Sequence, residues 1–298
     1  PITLGVPFTT AGGGVLTLDA DGSYSFAPGT AFNGLDVTET ASEVITYTVS
    51  DGNGGTDTAT LVITITGAND APVVIDPANP VNDPASPLYD PANPAPATDP
   101  SNIIAAVATT DGATPAPVNV GAAIVDPDGE PLTFSATGLP PGMAIDPATG
   151  VITGTLPADA SQAGPYTVVV TATDPDGASV TTTVTYTVVN LPPVAVDDTD
   201  TVAEDAASVG GNVITDAATG DADTAPDSDP LVVAAAAQGT SPITLGVPFT
   251  TAGGGVLTLL ADGSYSFAPG TAYNGLDVTE TASEVITYTV SDGNGGID

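Results

Sequence analysis

The sequence predicts an all-β fold, a tandem run of antiparallel β-sandwiches arranged end to end. Three observations carry this expectation. Short Val- and Thr-rich stretches alternate apolar and polar residues with period two, the signature of half-buried strands. Turn signals built from Gly, Pro, Asn and Asp recur roughly every 8–12 residues, the spacing of a sandwich. A long stretch occurs twice: residues 2–57 (ITLGVPFTTAGGGVLTLDADGSYSF…DGNGGTD) recur as 243–298, with Leu260 for Asp19, Tyr273 for Phe32 and Ile297 for Thr56. The offset of 241 residues far exceeds a solenoid repeat, so the repeating unit is one or more whole domains.

In the first copy, Val15–Leu18 and Ser23–Phe26 flank Asp19-Ala20-Asp21-Gly22 as a hairpin, with Leu16, Leu18, Tyr24 and Phe26 expected on one buried face. Val44–Val49 alternates, with Ile45, Tyr47 and Val49 on one side. After the loop DGNGGTD (51–57) a second strand points Leu61, Ile63 and Ile65 inward. The second copy stops before the counterpart of that strand, and the first copy lacks the counterpart of residues 191–241. Three segments follow: 1–70, the C-terminal part of a domain; 71–190, a complete domain carrying a Pro-rich insertion at 76–101; and 191–298, a domain of the first type lacking its last strand. In the middle segment, Leu132–Ala136 is a strand and MAIDPATGVITG (143–154) a hairpin. Tyr166, Val168, Val170 and Ala172 line one strand. Val180, Val184, Tyr186 and Val188 line the next, with Thr181, Thr183, Thr185 and Thr187 on its other face.

The chain has 36 carboxylates and no Lys, Arg or His. Six of the acids are Glu (39, 43, 130, 204, 280, 284) and the rest are Asp, most of them in turns. Carboxylates that approach one another therefore need solvent, backbone donors or a metal. Short Asp side chains in turns suit a hard, oxygen-ligated cation such as Ca²⁺, and a solvated acidic surface of the halophile type is the alternative. Nucleic acid and anionic membranes are disfavoured as partners, because phosphate contacts need Lys or Arg. No apolar run approaches membrane-spanning length. Without Cys there is no disulfide framework and no Cys-based metal site. General acid–base chemistry would rest on a tuned carboxylate alone, and AGGGV (11–15) lacks the lysine and strand–helix setting of a phosphate loop, so no enzyme is expected.

Two sets of motifs carry a family resemblance. The segment VDPDGEPLTFSATGLPPGMAIDPATGVITGTLP…GPYTVVVTATDPDGASVTTTVTYTV (125–188) resembles the "Putative Ig", dystroglycan-type cadherin-like domains of bacterial surface proteins. The other domain resembles the VCBS-type cadherin-like repeats of giant RTX adhesins and biofilm-associated proteins. Its matching pieces are AEDAASVGGNVI (203–214), LTLLADGSYSFAPG (257–270), YTVSDGNGG (288–296) and the closing TATLVITITGANDAPV (58–73). The resemblance implies Ig/cadherin-like sandwiches used mainly as spacers.

Strand direction then predicts where the acidic loops gather. If Leu132–Ala136 and the strand ending at Thr173 run antiparallel, Asp126-Pro127-Asp128-Gly129 and Asp174-Pro175-Asp176-Gly177 lie at the same end of the middle domain, beside linker residues Asn69 and Asp70. Asn69, Asp70, Pro72, Asp126 and Asp128 resemble the linker NDxxP and DxD loop of cadherin junctions. The same reasoning brings Asp221, Asp223, Asp227, Asp229 and Asp292 toward Asn190 at the second junction. The candidate metal ligands are thus Asn69, Asp70, Asp126, Asp128, Asp174, Asp176, Asn190, Asp221, Asp223, Asp227, Asp229 and Asp292, with Ca²⁺ the expected ion. Solvated Asp–Gly turns are the alternative.

The function expected is that of structural extender repeats, a stalk or fibre of a secreted bacterial surface adhesin or biofilm matrix protein, stiffened by Ca²⁺ between domains. Each sandwich would span roughly 40 Å. Its expected partners are neighbouring repeats of the same chain or fibre, and its expected place is extracellular, at the cell surface or in a biofilm matrix. One rival is a subunit of a self-assembling filament or surface layer. Another is an adhesin domain binding ice or a glycan, such as a surface or matrix polysaccharide.

Overall fold

The structure is a computed structural model that describes residues 2–75, 104–215 and 222–298. The Pro-rich stretch 76–101 and Asp221 lie outside the described residues. Among those described, the fold is all-β, interrupted only by short 3-10 turns such as Gly29–Phe32, Gly121–Ala123 and Ala160–Ala163.

The middle unit is a two-sheet sandwich. One sheet has the order β10 (Thr133–Thr137), β13 (Tyr166–Thr173), β14 (Ser179–Val189), β7 (Val107–Thr110). The other has the order β11 (Met143–Ile145), β12 (Val151–Gly154), β8 (Val118–Asn119). Alternation places Val168, Val170 and Ala172 of β13 and Val184, Tyr186 and Val188 of β14 inward. There they meet Val120, Phe134, Met143 and Ile152 in one core. Thr181, Thr183 and Thr187 stay exposed on the opposite face. The pairing β10–β13 is antiparallel, from Thr133 opposite Thr173 to Thr137 opposite Val169. Both DPDG loops therefore do sit at one end. The expectation of purely antiparallel pairing fails at one edge: β7 runs parallel to β14, with Val107 opposite Tyr186 and Thr110 opposite Val189. Both β7 and β14 run toward the C-terminal end of the unit, so side by side they must be parallel. At the N-terminal end, β6 (Val73–Val74) pairs with β9 (Ile124–Val125).

The last unit is a second sandwich. Strands β15 (Val209–Asn212), β20 (Ser264–Ala268), β19 (Val256–Leu259) and β18 (Phe249–Thr250) form one sheet. Strands β17 (Ser241–Ile243), β16 (Val232–Gln238) and β21 (Thr287–Ser291) form the other. Ile214, Val233, Ile243, Leu257 and Leu259 make its core.

The first unit has the same hairpin, β1 (Phe8–Thr9), β2 (Val15–Leu18) and β3 (Tyr24–Ala27), but its second sheet is a two-stranded ribbon of β4 (Thr40–Ser50) and β5 (Thr56–Thr66). Identical residues behave differently in the two copies. Thr40–Ile45 are strand in the first, held by Leu61–Thr66 of β5, whereas 281–286 have no such partner and carry no strand. Conversely, Val290, paired beside Val233 of β16 in the same sheet, is fully buried while its twin Val49 is 54% exposed. Tyr24, expected inside, is 52% exposed, whereas its twin Tyr265 is half-buried and donates its hydroxyl to Asp200 at 2.7 Å.

Candidate metal centres at the domain junctions

At the first junction the acidic loops are shaped by tight turns that only glycine enters cheaply, with Gly129 at φ +78° and Gly177 at φ +96°. Each loop begins with an Asp that folds the turn around itself. The Asp126 carboxylate accepts from Asp128 N–H at 2.9 Å through Oδ1. Asp174 Oδ1 accepts from Gly177 N–H at 2.6 Å and Ala178 N–H at 2.8 Å. The second oxygen of each acid is left for other work. The linker closes over the loops: Asn69 Nδ2 donates to Asp174 Oδ2 at 3.1 Å, and Asp70 N–H donates to Asp128 Oδ2 at 2.7 Å. Asn69, Asp70, Asp126, Asp128 and Asp174 are thereby gathered at one place, with Asp126 and Asp174 buried.

Two residues not expected from the sequence join them. One carboxylate oxygen from each of Asp126, Glu130 and Asp174 lies within 4.8 Å of the others, and the same holds for Asp36, Glu130 and Asp176. Glu130 stands directly after Gly129 in the DPDGE loop, so its position next to the turn was a usable signal. Asp36 comes from the first unit, where the backbone of residue 34 approaches Pro127, a contact between distant loops that no local motif announces. Asp176 is exposed and groups with Asp36 and Glu130 rather than with the buried acids.

Four oxygens at this junction are buried without a hydrogen-bond partner: Asn69 Oδ1, Asp126 Oδ2, Asp128 Oδ1 and Glu130 Oε2. Burial without compensation is costly. Its electrostatic sign is visible in the acids. Burial, then the neighbouring Asp128, push Asp70 above its ordinary value. Burial also raises Asp126, against the backbone donors of Asp128 and Glu130, with the charges of Asp128 and Asp174 adding to the rise. Glu130 is raised by desolvation first and then by Asp36, Asp176, Asp126 and Asp174. An all-oxygen donor set with unpartnered buried atoms, and no cationic side chain anywhere in the chain, fits a hard divalent cation such as Ca²⁺.

The second junction is bonded more completely. Asn190 Nδ2 donates to Asp292 Oδ2 at 2.9 Å, while Asp292 Oδ1 accepts from Asn294 N–H at 2.8 Å and Gly296 N–H at 2.9 Å. Burial would raise Asp292, but the Asn190 amide and those backbone donors outweigh it and hold the acid below its ordinary value. Leu191 N–H donates to Asp227 Oδ2 at 3.3 Å, and Asn294 Nδ2 donates to Asp229 Oδ2 at 2.5 Å and to Ala158 O at 3.1 Å. Asp229 is raised, by burial first and then by Asp227, with Asp292 and Asp111 adding to it. Asp111 was not anticipated. The parallel pairing of β7 with β14 carries the turn after Thr110 to this end, where Asp111 Oδ1 accepts from Ser161 N–H at 2.6 Å and Oδ2 is buried without a partner. Asp223 sits apart from the junction acids. It accepts from Val196 N–H at 2.7 Å and is raised by burial, then by Asp198 and Asp298. Among the described residues, no triad of acids with oxygens this close together occurs at the second junction.

Three family profiles match consecutive segments: a bacterial cadherin-like domain over 1–67, a "Putative Ig" domain over 95–189 and a bacterial Ig domain over 190–298. No curated protein matches the sequence. Among solved structures, protocadherin gamma B7 extracellular cadherin domains 1–4 align at 15% identity and a TM-score of 0.35, covering 98% of this chain and 61% of that one. The human desmocollin-1 ectodomain aligns at 11% identity and a TM-score of 0.31, covering 96% and 47%. Mouse clustered protocadherin PcdhgC3 EC1–3 aligns at 19% identity and a TM-score of 0.29, covering 59% and 51%. The chain spans less than two thirds of the length of each of these.

Proposed function

With a chain built of bacterial cadherin-like and Ig-like repeat domains as the premise, we propose that it works as an extender: end-to-end β-sandwiches of an extracellular stalk, stiffened by Ca²⁺ between domains. The observation that supports this is the set of four unpartnered buried oxygens, from linker and loops together, at the first junction. Asn69, Asp126, Asp128, Glu130 and Asp174 would hold the ion, and when bound it would supply positive charge and oxygen coordination that side chains of this sequence cannot. The chain's own residues do the rest. Asn69 and Asp70 tie the linker to both DPDG loops, and Asp36 brings the first unit's loop against the second. Without a cation, raised acids repel one another across the joint and favour its opening. With that repulsion removed, the linker bonds hold two units as one body. The second junction needs less help, because Asn190 and Asn294 already supply donors to Asp292 and Asp229.

Calcium titration by calorimetry tests this reading. Saturable binding with a Kd in the range of roughly 10⁻⁵–10⁻³ M is expected, and an Asp126→Asn/Asp174→Asn variant with unchanged far-UV dichroism should lose at least about tenfold in affinity. Absence of binding up to about 10 mM Ca²⁺ would overturn it.

A further inference from the structure

The loop Ala252-Gly253-Gly254-Gly255 has no phosphate-binding lysine, yet its glycines answer to what presses on them. Gly254 takes φ +95°, and a Cβ on Gly253 would collide with the Glu284 carboxylate and the Tyr273 hydroxyl. That carboxylate is a hub. Its Oε1 accepts from the Thr251 hydroxyl at 2.8 Å, from Gly253 N–H at 2.7 Å and from the Tyr273 hydroxyl. Its Oε2 accepts from the carboxamide nitrogen of Gln238. The oxygen of that carboxamide in turn accepts from Ala252 N–H at 2.7 Å. Thr251 is buried, and Gln238 and Glu284 are half-buried.

These groups make up an acyl-transfer set. A threonine hydroxyl becomes a nucleophile when a base stands within hydrogen-bond reach, and the Glu284 carboxylate does. Its four donors outweigh burial and keep it below its ordinary value, so it is ionised, as a base must be, at neutral pH. The carboxamide carbonyl points its oxygen at a backbone N–H, the donor that steadies charge developing there. The same carboxylate also holds the nitrogen that would leave. The placement gives such a reaction a use. Gln238, one of two glutamines in the chain, ends β16 in one sheet of the last unit, and Thr251 follows β18 at the edge of the other. Without Cys or Lys, neither a disulfide nor a lysine–amide bond can tie those sheets.

We propose that Gln238 and Thr251 join in an ester cross-link between the two sheets of the last unit, with Glu284 as the general base. Glu284 takes the Thr251 proton as Oγ1 attacks Cδ of Gln238, and negative charge gathers on the carboxamide oxygen facing Ala252 N–H. The Cδ–Nε2 bond then breaks. The nitrogen leaves as ammonia, carrying the proton that Glu284 received. One C–O bond replaces one C–N bond, so the step needs no oxidant, reductant or outside reagent. Gly253 N–H and the Tyr273 hydroxyl still hold Glu284 after the bond has formed. The tie closes a loop over β17 and β18 and resists separation of the sheets at that point.

The test is mass spectrometry of the full chain, folded in neutral buffer. The intact mass should fall below the sequence mass by one ammonia. Peptic cleavage at Leu245 or Phe249, both between the two residues, should leave the flanking peptides joined, and mild alkali should part them with Glu at position 238. Thr251→Val and Gln238→Glu should restore the mass expected from their sequences, whereas Thr251→Ser, which keeps a hydroxyl, should retain the bond. Glu284→Gln should slow its formation by on the order of 100-fold. A folded native chain at its full sequence mass overturns the cross-link, whatever the variants do. So does loss of ammonia with the two peptides unjoined, the mark of ring closure at an Asn-Gly pair such as Asn294-Gly295. Bond formation in Glu284→Gln at the native rate overturns the role of the base. Both groups lie within the last unit and the readout needs no calcium, so failure here is distinct from failure of the calcium-stiffened stalk.

Discussion

Replacing Val290 by Ala should destabilise the last unit far more than the same change at Val49 destabilises the first, although both valines sit in an identical local sequence. Val290, in β21 and paired with β16, is fully buried and Val49 is 54% exposed. Removing two methyl groups from a sealed position costs about 0.8 kcal/mol each in transfer free energy, plus a cavity contribution, or about 2 kcal/mol in all. At Val49 about half the transfer energy is already forfeited and water fills the gap, leaving about 0.5 kcal/mol. In exchange limited by unit opening, these correspond to about 30-fold and about twofold faster exchange. Hydrogen-exchange mass spectrometry can read the two units separately, because peptides spanning Asp19 or Leu260, and Phe32 or Tyr273, differ in mass between the copies. Equal losses at the two positions would refute the claim that the β16 sheet is what distinguishes them.

Two further outcomes are expected. The rings of Phe32 and Tyr273 pack alike, at 6.5 and 6.4 Å from Phe26 and Phe267, so the hydroxyl that donates to Glu284 is what the second copy adds. Tyr273→Phe should cost about 1–2 kcal/mol near neutral pH. Burial would raise Glu284, but hydrogen bonds from Tyr273, Thr251, Gln238 and Gly253 N–H hold it below its ordinary 4.5. A depressed folded value stabilises above the unfolded one and is lost as pH falls through it. Denaturation between neutral pH and pH 3 should therefore show the variant with the weaker acid dependence, and an unchanged profile would contradict the assignment. The first junction has the opposite sign. Burial raises Asp70, Asp126 and Glu130, so the ion-free folded joint binds protons more tightly than the unfolded chain does. Its stability should fall as pH rises from the ordinary carboxylate values through the higher folded ones, then level off. Protons and Ca²⁺ compete for these oxygens, so calcium affinity measured by calorimetry should weaken between pH 7 and pH 4.5. A constant affinity would show that the raised acids are not the ligands.

Most of the fold was legible because alternation is a local signal: the inward sets of β13 and β14, and the two DPDG loops at one end, follow from period and strand direction alone. What escaped depended on partners. Parallel β7 could not be inferred from its own four residues, and with it Asp111 was missed at the second junction. Asp36 reaches the first junction through a loop of another unit. Tyr24 reads as a core residue, and its twin Tyr265 is half-buried, but β15, whose Gly211 lies opposite Tyr265, has no counterpart among the described residues of the first unit. The extents of β4 and β21 differ although their residues are the same, since strand length is set by the neighbour that pairs with it.

The end-to-end stalk with a calcium-stiffened first junction is tested most directly by small-angle scattering of the full chain in Ca²⁺ and in EDTA. The maximum dimension should be larger and the profile more rod-like in Ca²⁺, with that difference abolished by Asp126→Asn/Asp174→Asn. The same maximum dimension in both conditions would contradict the account.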